Sequence, residues 1–219
     1  MQKVSKNVDN NFFTGTIVAR LKKGWSQKSR SRSLEDIGSA ISFNIWQTSG
    51  QSVLDLENEA FQIDTYSERL DVLSEFSAYL LQIVDRLSFD QFEQNDRHAL
   101  ITATGLHLAE IMQDNRIETD GVGEYRNTYL SLLNDRIRDY SSCQFEVEDG
   151  ASFVFLRLLG DHVTNVMGDR DSKWITGYVI DKLGPSMFKQ IKLVLPGLID
   201  PAQREDDEER QMLRQNHDA

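Results

Sequence analysis

The chain has 219 residues, a net charge of −11 at neutral pH and an apolar fraction of 39%. This length fits one large domain, and this apolar content can fill a core. The acidic balance argues against broad nucleic-acid binding, because phosphate contacts need a basic surface. The single cysteine, Cys143, excludes an internal disulfide, and no stretch of 18 uninterrupted apolar residues predicts a transmembrane helix.

Charge divides the sequence into three parts. Residues 1–33 carry eight lysines and arginines and one acid, whereas residues 34–199 carry 13 lysines and arginines and 27 acids. Residues 200–219 carry three arginines and seven acids. We therefore predict a basic N-terminal segment, a helical domain, and an acidic tail that is disordered. No apolar signal-peptide core is visible, so we expect a cytoplasmic protein, free or attached to a membrane surface.

The basic segment combines an apolar helical face with positive charge. Four apolar residues recur at every fourth position, which places them on one face of a helix: Phe13, Ile17, Leu21 and Trp25. The positive charge comes from residues beside this face and in the serine-rich linker that follows: Lys22, Lys23, Lys28, Arg30 and Arg32. Such a segment can bind an anionic membrane surface or an acidic partner. Alternatively, it docks on its own acidic body, or its Ser-Arg run contacts nucleic acid, which an acidic body disfavours.

Two capping boxes predict the first helix starts of the body. In Ser33-Leu-Glu-Asp36 and in Thr65-Tyr-Ser-Glu68, a hydroxyl can accept from free N–H groups and an acid follows three positions later. The first box predicts a helix that Gly50 interrupts. The second predicts a helix to about Leu87 with an apolar face so wide that it belongs to a core or to the seam of a homodimer.

Weaker signals predict the remaining helices. Asn95 or Asp96 can cap a third helix to about Asp114, followed by a loop over residues 115–123. Further helices are predicted over Glu124–Tyr140, over residues 152–167, from Asp171 to a Gly184-Pro185 stop, and over Met187–Leu195 before Pro196. The sequence thus predicts an all-α, single-domain multi-helix bundle of six to eight helices with mixed antiparallel and orthogonal packing.

Chemical motifs are sparse. A di-iron helix bundle needs Glu-x-x-His pairs, and the chain offers only the reverse spacing, His107-Leu-Ala-Glu110. A metal- or haem-dependent enzyme centred on His107 and Glu110, with His162 as a further ligand, is therefore an alternative function. The sequence contains neither a phosphate-binding loop nor a nucleophile elbow.

These observations favour a non-enzymatic helical interaction or adaptor protein. We expect the helical body to contact a protein partner and the N-terminal segment to provide attachment. No cofactor is expected for this function, and nucleic acid is not an expected partner. A truncation that removes residues 1–33 separates attachment from folding, and metal analysis separates the adaptor from the enzyme.

Overall fold

The structure, a computed structural model, describes residues 32–168 and 172–200. The α-helices in this part of the chain are α1 Leu34–Asn58, α2 Tyr66–Leu87, α3 Gln94–Asp120, α4 Tyr125–Tyr140, α5 Phe153–Met167, α6 Ser172–Tyr178 and α7 Gly184–Ile199. A π-helical segment, Val179–Leu183, joins α6 to α7 without a break, so the described residues form six continuous helices. The all-α bundle and the number of helices are confirmed. A two-residue ribbon pairs β1 Phe145–Glu146 antiparallel with β2 Gly150–Ala151.

Both capping boxes form as the sequence predicts. The Ser33 hydroxyl accepts a bond of 3.1 Å from the Asp36 N–H, and the Asp36 carboxylate accepts from the Ser33 N–H at 3.3 Å. Thr65 and Glu68 make the same reciprocal pair at 3.1 and 3.3 Å. Because each pair satisfies donors that have no partner within the helix, α1 and α2 have well-defined starts.

Gly50 does not interrupt α1, so that prediction is wrong. The helix runs unbroken from Leu34 to Asn58, and Gly50 is buried. Packing of α1 against its neighbours offsets the helix propensity lost at a glycine, about 1 kcal/mol. Gly38 shows how close that packing is, because a Cβ atom there would lie 2.9 Å from the Cβ of Ala103 in α3.

The predicted loop over residues 115–123 is also wrong over most of its length, since α3 continues to Asp120. Arg116 lies in this region and donates to the Ser67 carbonyl and hydroxyl at 3.2 and 2.7 Å and to Asp120 at 3.0 Å. The two bonds to Ser67 tie the last turns of α3 to the first turn of α2. At the other end, Glu93 is the N-cap residue and makes no side-chain cap bond, so neither Asn95 nor Asp96 caps the helix.

The Gly184-Pro185 pair does not end a helix either. Proline has no N–H to donate, and the chain adapts by widening one turn: the Gly184 N–H bonds to the Val179 carbonyl five residues earlier. The Tyr79 hydroxyl donates to the Gly184 carbonyl at 3.3 Å, which supplies a partner at this irregular turn. Pro196 lies inside α7, so the predicted end of the last helix before this proline is wrong as well.

The second helix is the centre of the bundle. It contacts α1, α3, α4, α5 and α7, and every residue from Val72 to Val84 is buried. The wide apolar face of α2 is therefore covered within the chain itself. The largest fully buried side chains include Trp46, Tyr79, Phe76, Tyr140 and Phe155. Trp46, which is 0% exposed, lies in the core.

Candidate functional site

The predicted attachment residues lie mostly outside the described part of the chain. These are Phe13, Ile17, Leu21, Trp25, Lys22, Lys23, Lys28 and Arg30. Arg32 is described and is half-buried, directly before the Ser33 N-cap of α1. The structure therefore shows where this segment joins the helical body, at the first turn of α1.

His107 and Glu110 are brought together, and a third residue joins them. The His107 Nδ1 atom lies 3.3 Å from Glu110 Oε2, and its Nε2 atom lies 3.1 Å from Oε1 of Glu35 in the first turn of α1. The His107 side chain is only 14% exposed. Sequence spacing finds the pair within α3, but it contains no signal for Glu35, because that contact depends on how α1 crosses α3.

This cluster does not extend to the other candidate histidine. His162 lies in α5 and contacts Asp139 and the ring of Tyr140, both in α4. In residues 32–168 and 172–200, no group of three or more histidines, cysteines or acids is placed to hold a metal ion. His107 instead links α3 to α1 through its contact with Glu35, whereas Glu110 lies on the same helix as His107.

One face of α3 is open to solvent beyond this crossing. Its five residues, here called the α3 acidic face, are Leu106, Glu110, Asp114, Ile117 and Glu118. Steps of three and four residues place them on one side of the helix. Leu106 and Ile117 are 37% and 40% exposed, and the side chain of Glu110 is 61% exposed. The face thus combines negative charge with accessible apolar surface.

A buried ion pair joins α2 to α4. Glu75 is 1% exposed, and its two carboxylate oxygens accept from Arg136 Nε at 2.6 Å and from Arg136 Nη2 at 2.7 Å. This hydrogen bond to Glu75 raises the pKa of the Arg136 guanidinium, against the effect of burial. Arg136 also donates to Asp139 at 3.2 Å. The bidentate geometry fixes the register of the two helices.

The sequence missed this pair. Arg136 and Arg138 both alternate with acids along α4, a pattern that predicts surface ion pairs. Arg138 behaves in that way and bonds to Asp135 on the surface. The available signal was Glu75 itself, a lone acid within the wide apolar face of α2, since a buried carboxylate requires a charged partner.

His162 extends the network to α5. Its Nε2 atom lies 3.2 Å from Asp139 Oδ2, and its ring meets the ring of Tyr140 edge to face at 6.0 Å. Burial is the main effect that lowers the pKa of His162, and the charge of Arg136 lowers it further, whereas Glu75 and Asp139 oppose both effects. The imidazole is therefore neutral at neutral pH.

Three tyrosines are buried in this part of the bundle, Tyr79 in α2 and Tyr129 and Tyr140 in α4. The Tyr129 hydroxyl lies 2.7 Å from the Ser77 hydroxyl, and Tyr79 donates to the Gly184 carbonyl at 3.3 Å. Burial raises the pKa of Tyr79, Tyr129 and Tyr140. The hydroxyls of Tyr79 and Tyr129 remain protonated and act as structural hydrogen-bonding groups that join α2 to α7 and to α4. The buried Tyr140 hydroxyl makes no hydrogen bond to the described residues.

Cys143 is not a reactive thiol. It is buried, and this burial is the main effect that raises its pKa. A thiol becomes a nucleophile as the thiolate, which a raised pKa disfavours at neutral pH. Cys143 therefore serves as a small apolar residue.

Known proteins give no guide to this arrangement: no family model, curated protein or solved structure matches the chain. In the described residues, no helix is both long enough and apolar enough to span a membrane.

Proposed function

We propose that this chain is a non-enzymatic helical interaction protein that attaches to an anionic membrane surface through its basic N-terminal segment. The observation that carries the proposal is the Ser33 capping box, which closes the N-terminus of α1. The backbone of Ser33 is extended, with φ −73° and ψ 157°, so the helix of the body does not continue into the basic segment. α1 therefore begins at Leu34, directly after the basic segment.

The composition of the basic segment suits a charged interface. The face with Phe13, Ile17, Leu21 and Trp25 supplies apolar area, and each such side chain contributes roughly 1.5–3 kcal/mol when fully buried. Each lysine or arginine near an anionic leaflet adds about 1 kcal/mol. Stable peripheral binding to a membrane usually requires two kinds of interaction, and this segment supplies both apolar burial and electrostatic attraction.

The charge of the body supports the same arrangement. Residues 34–199 carry 27 acids and 13 lysines and arginines, so an anionic surface repels the body as a whole. Attachment through a basic segment at one end keeps the helical domain in the adjacent solution, where it can contact a protein partner. Screening limits this repulsion to about 10 Å at ordinary ionic strength.

Vesicle flotation tests the proposal directly. We expect the full chain to float with vesicles that contain phosphatidylserine and to stay in the bottom fraction with pure phosphatidylcholine. A full-length variant with K22Q, K23Q, K28Q and R30Q should lose flotation while its thermal melt is unchanged. Equal recovery of variant and parent protein, or no flotation of either, would refute membrane attachment.

A further inference from the structure

The contacts between α1 and α3 define the direction from which the N-terminal segment approaches. Gly38 of α1 packs on Ala103 of α3, and Glu35, one turn earlier, reaches His107. Moving toward the start of α1 therefore means moving toward the end of α3. The first turn of α1 therefore lies beside the α3 acidic face, because Glu35 and Glu110 both contact His107, and this face continues beyond His107 on the same side of the helix.

The acids on this face have a regular spacing. Glu110, Asp114 and Glu118 follow one another at four-residue intervals, which correspond to about 6 Å along a helix. All three are exposed. They form a row of negative charge that begins beside the first turn of α1 and runs away from it.

The linker directly before α1 carries a matching row of positive charge. In the sequence Lys28-Ser-Arg30-Ser-Arg32, every second residue is basic. In an extended chain, alternate side chains lie on one side at intervals of roughly 6.6 Å. Two extended residues thus span nearly the same distance as four helical residues, so the cations can meet the acids in register.

We propose that residues 26–32 of the chain, here called the basic tether, dock on the α3 acidic face of the same molecule. Charge complementarity and the direction of entry at Ser33 both support this occupant. Exposed ion pairs are individually weak, so the docked state is shallow and sensitive to salt. The covalent connection at Ser33 keeps the tether at a high effective concentration beside the face.

Docking has a regulatory consequence that rests on the proposed function. The bases that contact Glu110, Asp114 and Glu118 are the bases that an anionic membrane attracts. The α3 acidic face therefore competes with the membrane for the tether, and only a surface of sufficient negative charge releases it. The protein would thereby discriminate between strongly and weakly anionic membranes.

Cross-linking of the full chain locates the docked tether. A carbodiimide joins lysine amines to nearby carboxylates without a spacer. We expect links from Lys28 to Glu110, Asp114 or Glu118 at low salt, and loss of these links at 0.5 M salt. An equal mixture of isotope-labelled and unlabelled protein distinguishes links within one chain from links between two copies. Absence of the links, or links only between copies, would overturn the proposal.

Proteolysis provides a readout that does not depend on the cross-linked carboxylates. A docked tether is protected from trypsin, so the triple variant E110Q/D114N/E118Q should be cut at Lys28 and Arg30 about fivefold faster than the parent, in line with the weakness of exposed pairs. The matched control D90N/E146Q/D149N removes the same charge from exposed sites elsewhere. Equal cutting rates for all three proteins contradict docking.

Flotation then separates docking from membrane attachment. If both hold, E110Q/D114N/E118Q reaches half-recovery at about threefold less anionic lipid than the parent, because no acid competes for the tether. If the expected cross-links and cutting rates are found but neither protein floats, docking stands and the proposed membrane function fails. If both proteins float at the same lipid concentration, the α3 acidic face does not compete with the membrane and the regulatory proposal fails.

Discussion

Replacement of Arg136 by methionine should destabilise the fold more than any other single charge removal in α4. The variant R136M keeps the length of the side chain but leaves Glu75 as a charged group that is 1% exposed. Removal of one partner from a buried ion pair costs about 3–5 kcal/mol. The Arg136 side chain is 19% exposed, so water can partly reach the vacated position, and we expect a loss near the lower limit, about 3 kcal/mol.

Urea unfolding followed by circular dichroism measures this loss of stability. For a chain of this size, a loss of about 3 kcal/mol lowers the melting temperature by about 6–12 °C. The matched control is R138M, because the Arg138 side chain is 77% exposed and its pair with Asp135 contributes at most about 1 kcal/mol. A loss below about 1 kcal/mol for R136M, or an equal loss for both variants, would refute the assignment of Glu75 and Arg136 as a buried pair.

The double variant E75L/R136M tests the physical reason. Replacement of both partners by apolar side chains removes the unpaired buried charge, so it should recover most of the stability that R136M loses. A double-mutant cycle then gives a coupling energy of several kcal/mol between the two positions. If the losses of stability in E75L and R136M add up in the double variant, the two side chains act independently, which would contradict a buried Glu75–Arg136 ion pair.

Three further predictions concern pH, packing and capping. The pKa of His162 is lowered in the folded state, so the unfolded chain binds more protons than the folded chain below about pH 6.5. The free energy of unfolding should therefore fall as the pH drops through that value. H162Q should flatten this dependence in thermal melts recorded across the pH range. G38A should lower the free energy of unfolding by about 1–3 kcal/mol, because the added Cβ meets Ala103. G177A should raise it by about 0.5–1 kcal/mol, because a Cβ added there meets no atom within 4 Å and alanine favours the helix. Equal effects of the two variants in urea unfolding would contradict the close crossing of α1 and α3. S33A should lower the free energy of unfolding by about 1 kcal/mol in the same assay. An unchanged urea midpoint would show that the capping box does not stabilise α1.

Local signals in the sequence predict structure well where a short stretch contains both partners of an interaction. The capping boxes at Ser33 and Thr65 are examples, since donor and acceptor lie three residues apart and no other part of the chain is needed. The His107–Glu110 contact was predictable for the same reason. The face of α2 was predictable as buried because its apolar residues surround much of the helix.

Helix ends fail where a distant residue decides them. Gly50 and Gly184 both have poor intrinsic helix propensity, yet each lies inside a helix because packing and a widened turn compensate for it. Arg116 extends α3 because it finds Ser67 in another helix. Propensity is a small term for each residue, so a few tertiary bonds outweigh it.

The sequence by itself determined the helical class, the capped starts of α1 and α2, and the contrast between a basic N-terminal segment and an acidic body. These features depend on periodicity, short-range pairs and charge counts, which can all be read along the chain without knowledge of contacts between distant residues. Only the tertiary structure decided that Glu75 pairs with Arg136, that Glu35 joins His107, and that α1 enters beside the α3 acidic face. Those contacts arise where helices cross, and a crossing depends on the packing of the whole bundle.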